Sequence, residues 1–247
     1  VTKYSETVKM MITLAIETAT SVCSAALLRD DEVIAEVSEI TDRRHNETLP
    51  DMVLGLLQET GITAKEIKLV AVSIGPGSFT GLRVGLSFAK GWAITTGATL
   101  LPVGTLDALA ERLRQAAGAD VKPGDWLCPM TVARKGEAFG RGFWVLSDGL
   151  KADGEPFIVD GKGFEDRVGA LKSDGKVYMG GEGAEMLFVN QDNPPFNRKG
   201  GILPGVRASA REVGKIGYRK WVKGEDLPDW KDVTPLYLKE FTVKVRM

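Results

Sequence analysis

ITLAIETATSVCSAALLRDDEVIAEVSEI, residues Ile12 to Ile40, decides how the rest of the chain is read. Ile12–Ile16 is nearly all apolar, Val22–Leu28 is small and apolar, and Val33–Glu39 alternates with period 2. A charged turn, Arg29-Asp30-Asp31-Glu32, joins the second run to the third, so the stretch predicts a three-stranded meander. The period then changes. Leu49, Met52, Val53, Leu56 and Leu57 fall on one helical stripe, predicting a helix over Glu47–Thr60 with Pro50 in its first turn and Gly61 as its stop. Leu69–Ile74 is a continuous apolar run, as a strand covered on both faces should be.

A glycine-rich loop, Gly75-Pro76-Gly77-Ser78-Phe79-Thr80-Gly81, leads into a predicted helix Leu82–Thr96, a strand Thr99–Val103 and a helix Leu106–Ala117. The order βββαβαβα predicts a mixed five-stranded sheet carrying helices. That is the ribonuclease-H-like order of the two-lobed α/β folds used by actin, sugar kinases and Hsp70 nucleotide domains (the ASKHA group), and a fold of this kind does not fix a function. Residues 1–10 read as a polar leader foreign to the fold or unordered. Residues 11–117, with a later helix over 206–223, make the first lobe. Residues 118–205 make a smaller second lobe, and 224–247 an extended tail containing Pro235–Lys239.

The second lobe reads less clearly. Trp126–Val132 and Ala138–Leu146 pair around the basic turn Ala133-Arg134-Lys135-Gly136-Glu137. A strand at Phe157–Val159, a weak helix at Phe164–Leu171 and a strand at Lys176–Met179 follow. Gly180-Gly181-Glu182-Gly183 opens a short helix, and Asn190–Pro204 reads as an irregular crossing. The two lobes are similar in content without a repeat in sequence.

Composition narrows the function classes. In 247 residues, 32 basic against 33 acidic side chains leave a net charge of −1, which excludes a globally basic nucleic-acid coat. Cys23 and Cys128 lie far apart in apolar surroundings and read as buried thiols of a reducing compartment. No apolar run is long enough to span a bilayer, and the first ten residues lack the apolar middle of a signal peptide. The expectation is a cytoplasmic protein without membrane contact.

Three features could carry chemistry. The glycine loop ends at a helix N-terminus, which favours anions, and Glu17-Thr18-Ala19-Thr20-Ser21 sits where phosphotransferases of this topology hold a metal and phosphate. Glu17, Thr18, Thr20, Gly75, Gly77 and Ser78 are therefore a candidate phosphate or nucleotide loop. The same letters also read as a tight strand-to-helix turn and an acidic, hydroxyl-rich turn without a ligand. His45 is the single histidine, so a site needing two imidazoles cannot form within one chain. It is expected on the surface beside Arg43 and Arg44. Arg207, Arg211, Lys215, Arg219 and Lys223 recur every fourth residue, a positive stripe on a solvated face or a contact for RNA backbone or an acidic partner.

Ile12-Thr13-Leu14-Ala15-Ile16-Glu17-Thr18-Ala19-Thr20, followed by Gly75-Pro76-Gly77-Ser78-Phe79-Thr80-Gly81-Leu82-Arg83, closely resembles the bacterial YeaZ/TsaB family. Pro235-Leu236-Tyr237-Leu238 is similar to that family's C-terminal signature. The resemblance runs from Met11 to Phe241 and is strongest before residue 117. It departs at Val132-Ala133-Arg134-Lys135-Gly136-Glu137, where the family commonly begins with Asp. The resemblance implies a non-catalytic subunit in the formation of N6-threonylcarbamoyladenosine at position 37 of tRNAs. Its implied partners are TsaD, which binds metal through two histidines, the ATPase TsaE in the assembled complex, and a second copy of itself when alone. tRNA would be met through the complex. No metal or cofactor is implied for this chain, with ATP or ADP entering only in the assembly.

The same resemblance places the partner surface on helices of the first lobe. Ser78, Gly85 and Ala89 offer small side chains for close approach, while Leu82, Leu86, Trp92, Ala93, Met52 and Leu56 offer apolar area; burial of the same residues inside the monomer alone is the other reading. Arginine at Gly85 or Ala89 is then expected to abolish pairing and leave the monomer folded. A stand-alone ATPase or phosphotransferase, and a peptidase, remain the alternatives.

Overall fold

The meander forms as its alternation dictates. In the computed structural model β1 (Ile12–Glu17), β2 (Val22–Arg29) and β3 (Glu32–Ile40) are antiparallel neighbours, with Ile12 opposite Arg29 and Glu17 opposite Ser24. The structure describes residues 10–41, 45–188 and 200–238. The leader (Val1–Lys9), Arg43, Arg44, most of the expected crossing and the tail beyond Leu238 lie outside the described residues.

β4 (Ile67–Ser73) joins β1 in parallel and β5 (Thr99–Val103) joins β4, giving the sheet order β3-β2-β1-β4-β5. Alternation along β1 sorts the two faces. Leu14 and Ile16 pack beneath α1 (His45–Thr60) and α2 (Phe79–Thr96), with Met52, Val53, Leu86 and Ala89. Ala15 faces the other way, against α3 (Thr105–Ala117) and α6 (Ala210–Val222), through Ala108, Ala210 and Val213. α6 is a late element that returns to the first sheet, and a β-carbon on its Gly214 would stand 2.4 Å from Leu28.

The second sheet repeats this plan. β6 (Trp126–Arg134), β7 (Glu137–Leu146) and β8 (Gly149–Val159) form an antiparallel meander. β9 (Val177–Gly180) and β10 (Gly200–Leu203) add in parallel, so the order β8-β7-β6-β9-β10 matches the first sheet strand for strand. α4 (Gly161–Gly169) and α5 (Glu182–Phe188) cover one face through Phe164, Val168, Ala184 and Phe188. α3 covers the other through Leu109 and Leu113. One helix thus packs on both sheets, and the architecture is the two-lobed ribonuclease-H-like fold that the strand order predicts.

Three elements differ from expectation for local reasons. β8 is far longer than Phe157–Val159, because as an edge strand it accommodates Gly154 and Pro156, opposite a register shift between Gly140 and Gly142. β10 lies inside the expected irregular crossing. Its Gly200, at φ +130, passes so close to β9 that a β-carbon would stand 2.1 Å from the Val177 carbonyl oxygen. α6 begins at Ala210, after an N-cap by Ser209, so Arg207 precedes the helix instead of lying on its face.

Candidate functional site

The candidate loop residues do converge. β1 and β4 are parallel neighbours, so Glu17 and Ser73 end at the same edge of the sheet, where the β1–β2 turn meets the glycine loop. The Ser78 N–H donates to the Ala19 carbonyl oxygen at 2.7 Å, and Thr18 Oγ1 donates to the Gly81 carbonyl oxygen at 2.8 Å. The Gly75 N–H donates to Thr105 Oγ1 at 3.1 Å, and the Gly81 N–H to Ser78 Oγ at 3.2 Å, the N-cap of α2.

These bonds draw the backbone together until nothing fits between. A β-carbon on Gly77 would stand 2.2 Å from the Ala19 carbonyl oxygen, and one on Gly81 2.0 Å from that of Thr18. The glycines are needed because the chain's own turn presses against them. The N–H groups of Gly75, Ser78 and Gly81, which a phosphate cradle would need, are instead taken by internal acceptors.

Glu17 is fully buried at the centre of this junction. Its Oε1 accepts the Ala19 N–H at 2.6 Å, while Oε2 has no hydrogen-bond partner. Burial pushes its carboxyl up to about 7, against the lowering effect of the Ala19 N–H and Ser73, and Glu182 across the cleft pushes it further. Burial likewise raises the Cys23 thiol to about 11, which keeps it protonated. Among the described residues no group of three His, Cys, Asp or Glu side chains could hold a metal ion.

The two lobes meet over this junction. Ser21 Oγ donates to Glu182 Oε1, and Thr131 Oγ1 donates to the Pro76 carbonyl oxygen at 3.2 Å. His45, expected on the surface, is buried. Its Nε2 lies 3.1 Å from the Thr20 carbonyl oxygen, an acceptor only, so that nitrogen carries the proton and ties α1 to the turn. A polar flank in sequence hid a tertiary partner 25 positions away.

The expected partner residues require the larger correction. Leu82, Gly85, Leu86, Ala89, Ala93, Met52 and Leu56 are buried in the chain's own first lobe. Gly85 is small because Thr18 Oγ1 would stand 2.2 Å from a β-carbon there. Trp92 is half-buried and packs on Phe88, their ring centroids 5.9 Å apart, and only Ser78 of the set is exposed.

The outward face of these helices uses the intervening positions. Thr80, Arg83, Ser87, Gly91 and Ile94 of α2, with Pro50, Asp51 and Leu54 of α1, are exposed, Ile94 at 59% and Leu54 at 53%. Between the helices runs an open groove of about 630 Å³, floored by Leu49, Val84 and Phe88 and edged by Pro50, Thr80, Arg83 and Ser87. On the far side of α1, Glu39, Glu47, Asp51 and Glu59 edge a second, acidic groove.

The basic stripe is corrected as well. Arg207 forks onto Glu185 with two bonds of 2.7 Å, Arg211 Nε meets Glu36 Oε2 at 3.0 Å, and Arg219 meets Asp31 at 3.0 Å. Three of the cations that suggested an RNA contact thus hold the end of the chain to β3, to the β2–β3 turn and to α5. Lys215 is half-buried on the same helix.

A family model described as "TsaD: tRNA N6-adenosine threonylcarbamoyltransferase" matches residues 32–148. The tRNA threonylcarbamoyladenosine biosynthesis protein TsaB of Escherichia coli (strain K12) is 38% identical over 106 residues, 43% of this chain and 46% of that protein. The protein of the same description from Bacillus subtilis (strain 168) is 31% identical over 140 residues, 57% of this chain and 58% of that one. The chain thus spans about half the length of the curated relatives it matches. YeaZ from Pseudomonas aeruginosa superimposes with a TM-score of 0.77 at 23% identity, over 93% of this chain and 100% of that one, and shares its fold.

Proposed function

We propose that this chain, similar over part of its length to TsaB proteins and in fold to YeaZ, is a member of that family and works as a docking subunit with no chemistry of its own. It pairs through the outer face of α1 and α2 with TsaD in the cytoplasmic complex that forms N6-threonylcarbamoyladenosine at position 37 of tRNAs. TsaE joins that assembly, ATP or ADP is held by the complex, and tRNA is met through the partners. A second copy of the chain takes the same face when TsaD is absent, so the two dimers compete.

One contrast carries the reading. The glycine loop, where a phosphotransferase would hold its nucleotide, is filled by the chain's own β1–β2 turn. The α1–α2 face instead presents an open apolar groove flanked by exposed Leu54 and Ile94, the kind of surface that marks a protein–protein contact. Similarity to tRNA threonylcarbamoyladenosine biosynthesis proteins supports the choice of pathway, and the match to the TsaD family model supports a partner built on a similar lobe.

Reconstituted tRNA modification, with and without this chain, is the test. The expected result is product that depends on the chain, and no ATP turnover, phosphorylation or proteolysis by the chain alone. Full product without it, or turnover by the isolated chain, overturns the reading.

A further inference from the structure

β3 is the edge strand of the first sheet, and among the described residues no backbone hydrogen bond reaches its outer side. Alternation along it turns Val37 and Glu39 toward α1, and Glu36 and Ser38 toward the start of α6. The acidic groove lies between this strand and α1, open, about 610 Å³ in volume and lined at its base by Val37 and Leu56. It is the space beside an edge into which a further strand would fit.

The helix wall of that groove departs three times from what a helix alone favours. Glu47, Asp51, Gly55 and Glu59 stand at i, i+4, i+8 and i+12 of α1, so they form one row, and like charges one turn apart repel. Glu59 adds a negative charge to the last turn, the negative end of the helix dipole, and no basic residue offsets it there. Gly55 weakens the helix interior, yet a β-carbon on it would meet nothing within 4 Å. Gly81 and Gly85 of α2 are small because the chain presses on them, whereas nothing in the chain requires Gly55 to be small. Among the described residues no cation pairs with Glu39, Glu47, Asp51 or Glu59, although Glu36 on the opposite side of β3 is neutralised by Arg211. Local rules broken together on one face, without compensation inside the monomer, mark a surface shaped for something else.

We propose that this groove takes an extended segment of a partner protein, bearing lysine or arginine at alternate positions and added beside β3 as a sixth strand. Same-side side chains of such a strand repeat about every 6.8 Å. The row on α1 repeats about every 6 Å, so successive cations fall near Glu47 and Asp51 while Gly55 leaves room for the chain to pass. The open N–H and C=O groups of β3 give affinity, and the carboxylates select the sign of the partner. The same charges repel the β3 edge of a second copy, which carries Glu32, Glu36 and Glu39, so the occupant is a different chain. This surface is separate from the α1–α2 groove, and the proposal stands whether or not TsaD docks there.

A labelled peptide of alternating lysine and valine, titrated against the full chain by fluorescence anisotropy, is the test. Binding that weakens as salt is raised is expected. A chain carrying Glu47→Gln, Asp51→Asn and Glu59→Gln together is expected to bind about tenfold more weakly, three exposed pairs being lost, with a melting temperature no lower than the parent's. Gly55→Gln leaves the charge intact and suits the helix better, and is expected to weaken the peptide similarly by filling the groove. A peptide of the same sequence with every amide N-methylated cannot donate to β3 and is expected not to bind. Failure of the first peptide to bind, the result if cations of the chain itself neutralise the groove, overturns the proposal. Binding undiminished by the triple substitution places the peptide elsewhere, and binding undiminished by Gly55→Gln or by N-methylation removes the added strand; each also overturns it.

Discussion

A β-carbon on Gly85 would stand 2.2 Å from Thr18 Oγ1, the hydroxyl that donates to the Gly81 carbonyl oxygen at 2.8 Å. The glycine is therefore a fitting between α2 and the end of β1. Gly85→Ala must turn or displace Thr18 and break its hydrogen bond, and is expected to lower stability by about 1–3 kcal/mol. Gly85→Arg is expected to prevent folding, contrary to a reading of this position as partner surface. Urea unfolding of the alanine variant, and soluble yield of the arginine variant, check both.

The docking face is expected to answer to the exposed positions between the buried ones. Ser87→Arg and Leu54→Glu place charge where the structure holds none of its own core. Each should leave the melting temperature unchanged while weakening TsaD binding at least about tenfold, the result of burying an unpaired charge in an interface. Calorimetric titration against TsaD, beside a thermal melt, separates the two effects.

Much of the fold is legible in the letters because its determinants are local. The period-2 run of β3, the apolar run of β4 and the helical stripe of α1 each specify their element from neighbours alone. β8 and β10 were hidden by the glycines and proline that edge strands tolerate. The site was legible as a gathering of Glu17, Thr18 and the glycine loop, but not as a closed one. Spacing shows that Gly77, Gly81 and Gly85 are small, and only the tertiary fold shows that Thr18 and Ala19 are what they admit. Cations on α6 were visible, while their carboxylate partners lay 175 and 188 positions away in Glu36 and Asp31.

Glu36 is expected to matter for the docking of α6 more than any cation on that helix. Its Oε1 accepts the Ser209 hydroxyl and the Arg211 N–H, and its Oε2 accepts Arg211 Nε at 3.0 Å. The carboxylate thus caps the first turn of α6 from a strand far back in the chain. Glu36→Ala should cost about 1–2 kcal/mol, with Glu36→Gln retaining part of it. Arg219→Ala, which breaks only a half-exposed pair with Asp31, should stay within about 0.5 kcal/mol of the parent in urea unfolding.

Glu17 gives the fold a pH dependence of definite sign. Its carboxyl is raised from the ordinary 4.5 to about 7, chiefly by burial. Between those values the folded chain holds a proton that the unfolded chain has released, so stability falls as pH rises through this window and levels off above it. The full effect is on the order of 3 kcal/mol, since each unit of raised pKa corresponds to about 1.4 kcal/mol. Glu17→Gln keeps the amide acceptor for the Ala19 N–H but cannot ionise. The difference in unfolding free energy between pH 5 and pH 8 should therefore shrink in the variant by most of that amount, the remainder falling below pH 5. Equal pH slopes for parent and variant in urea unfolding would show that the Glu17 carboxyl titrates alike in the folded and the unfolded chain.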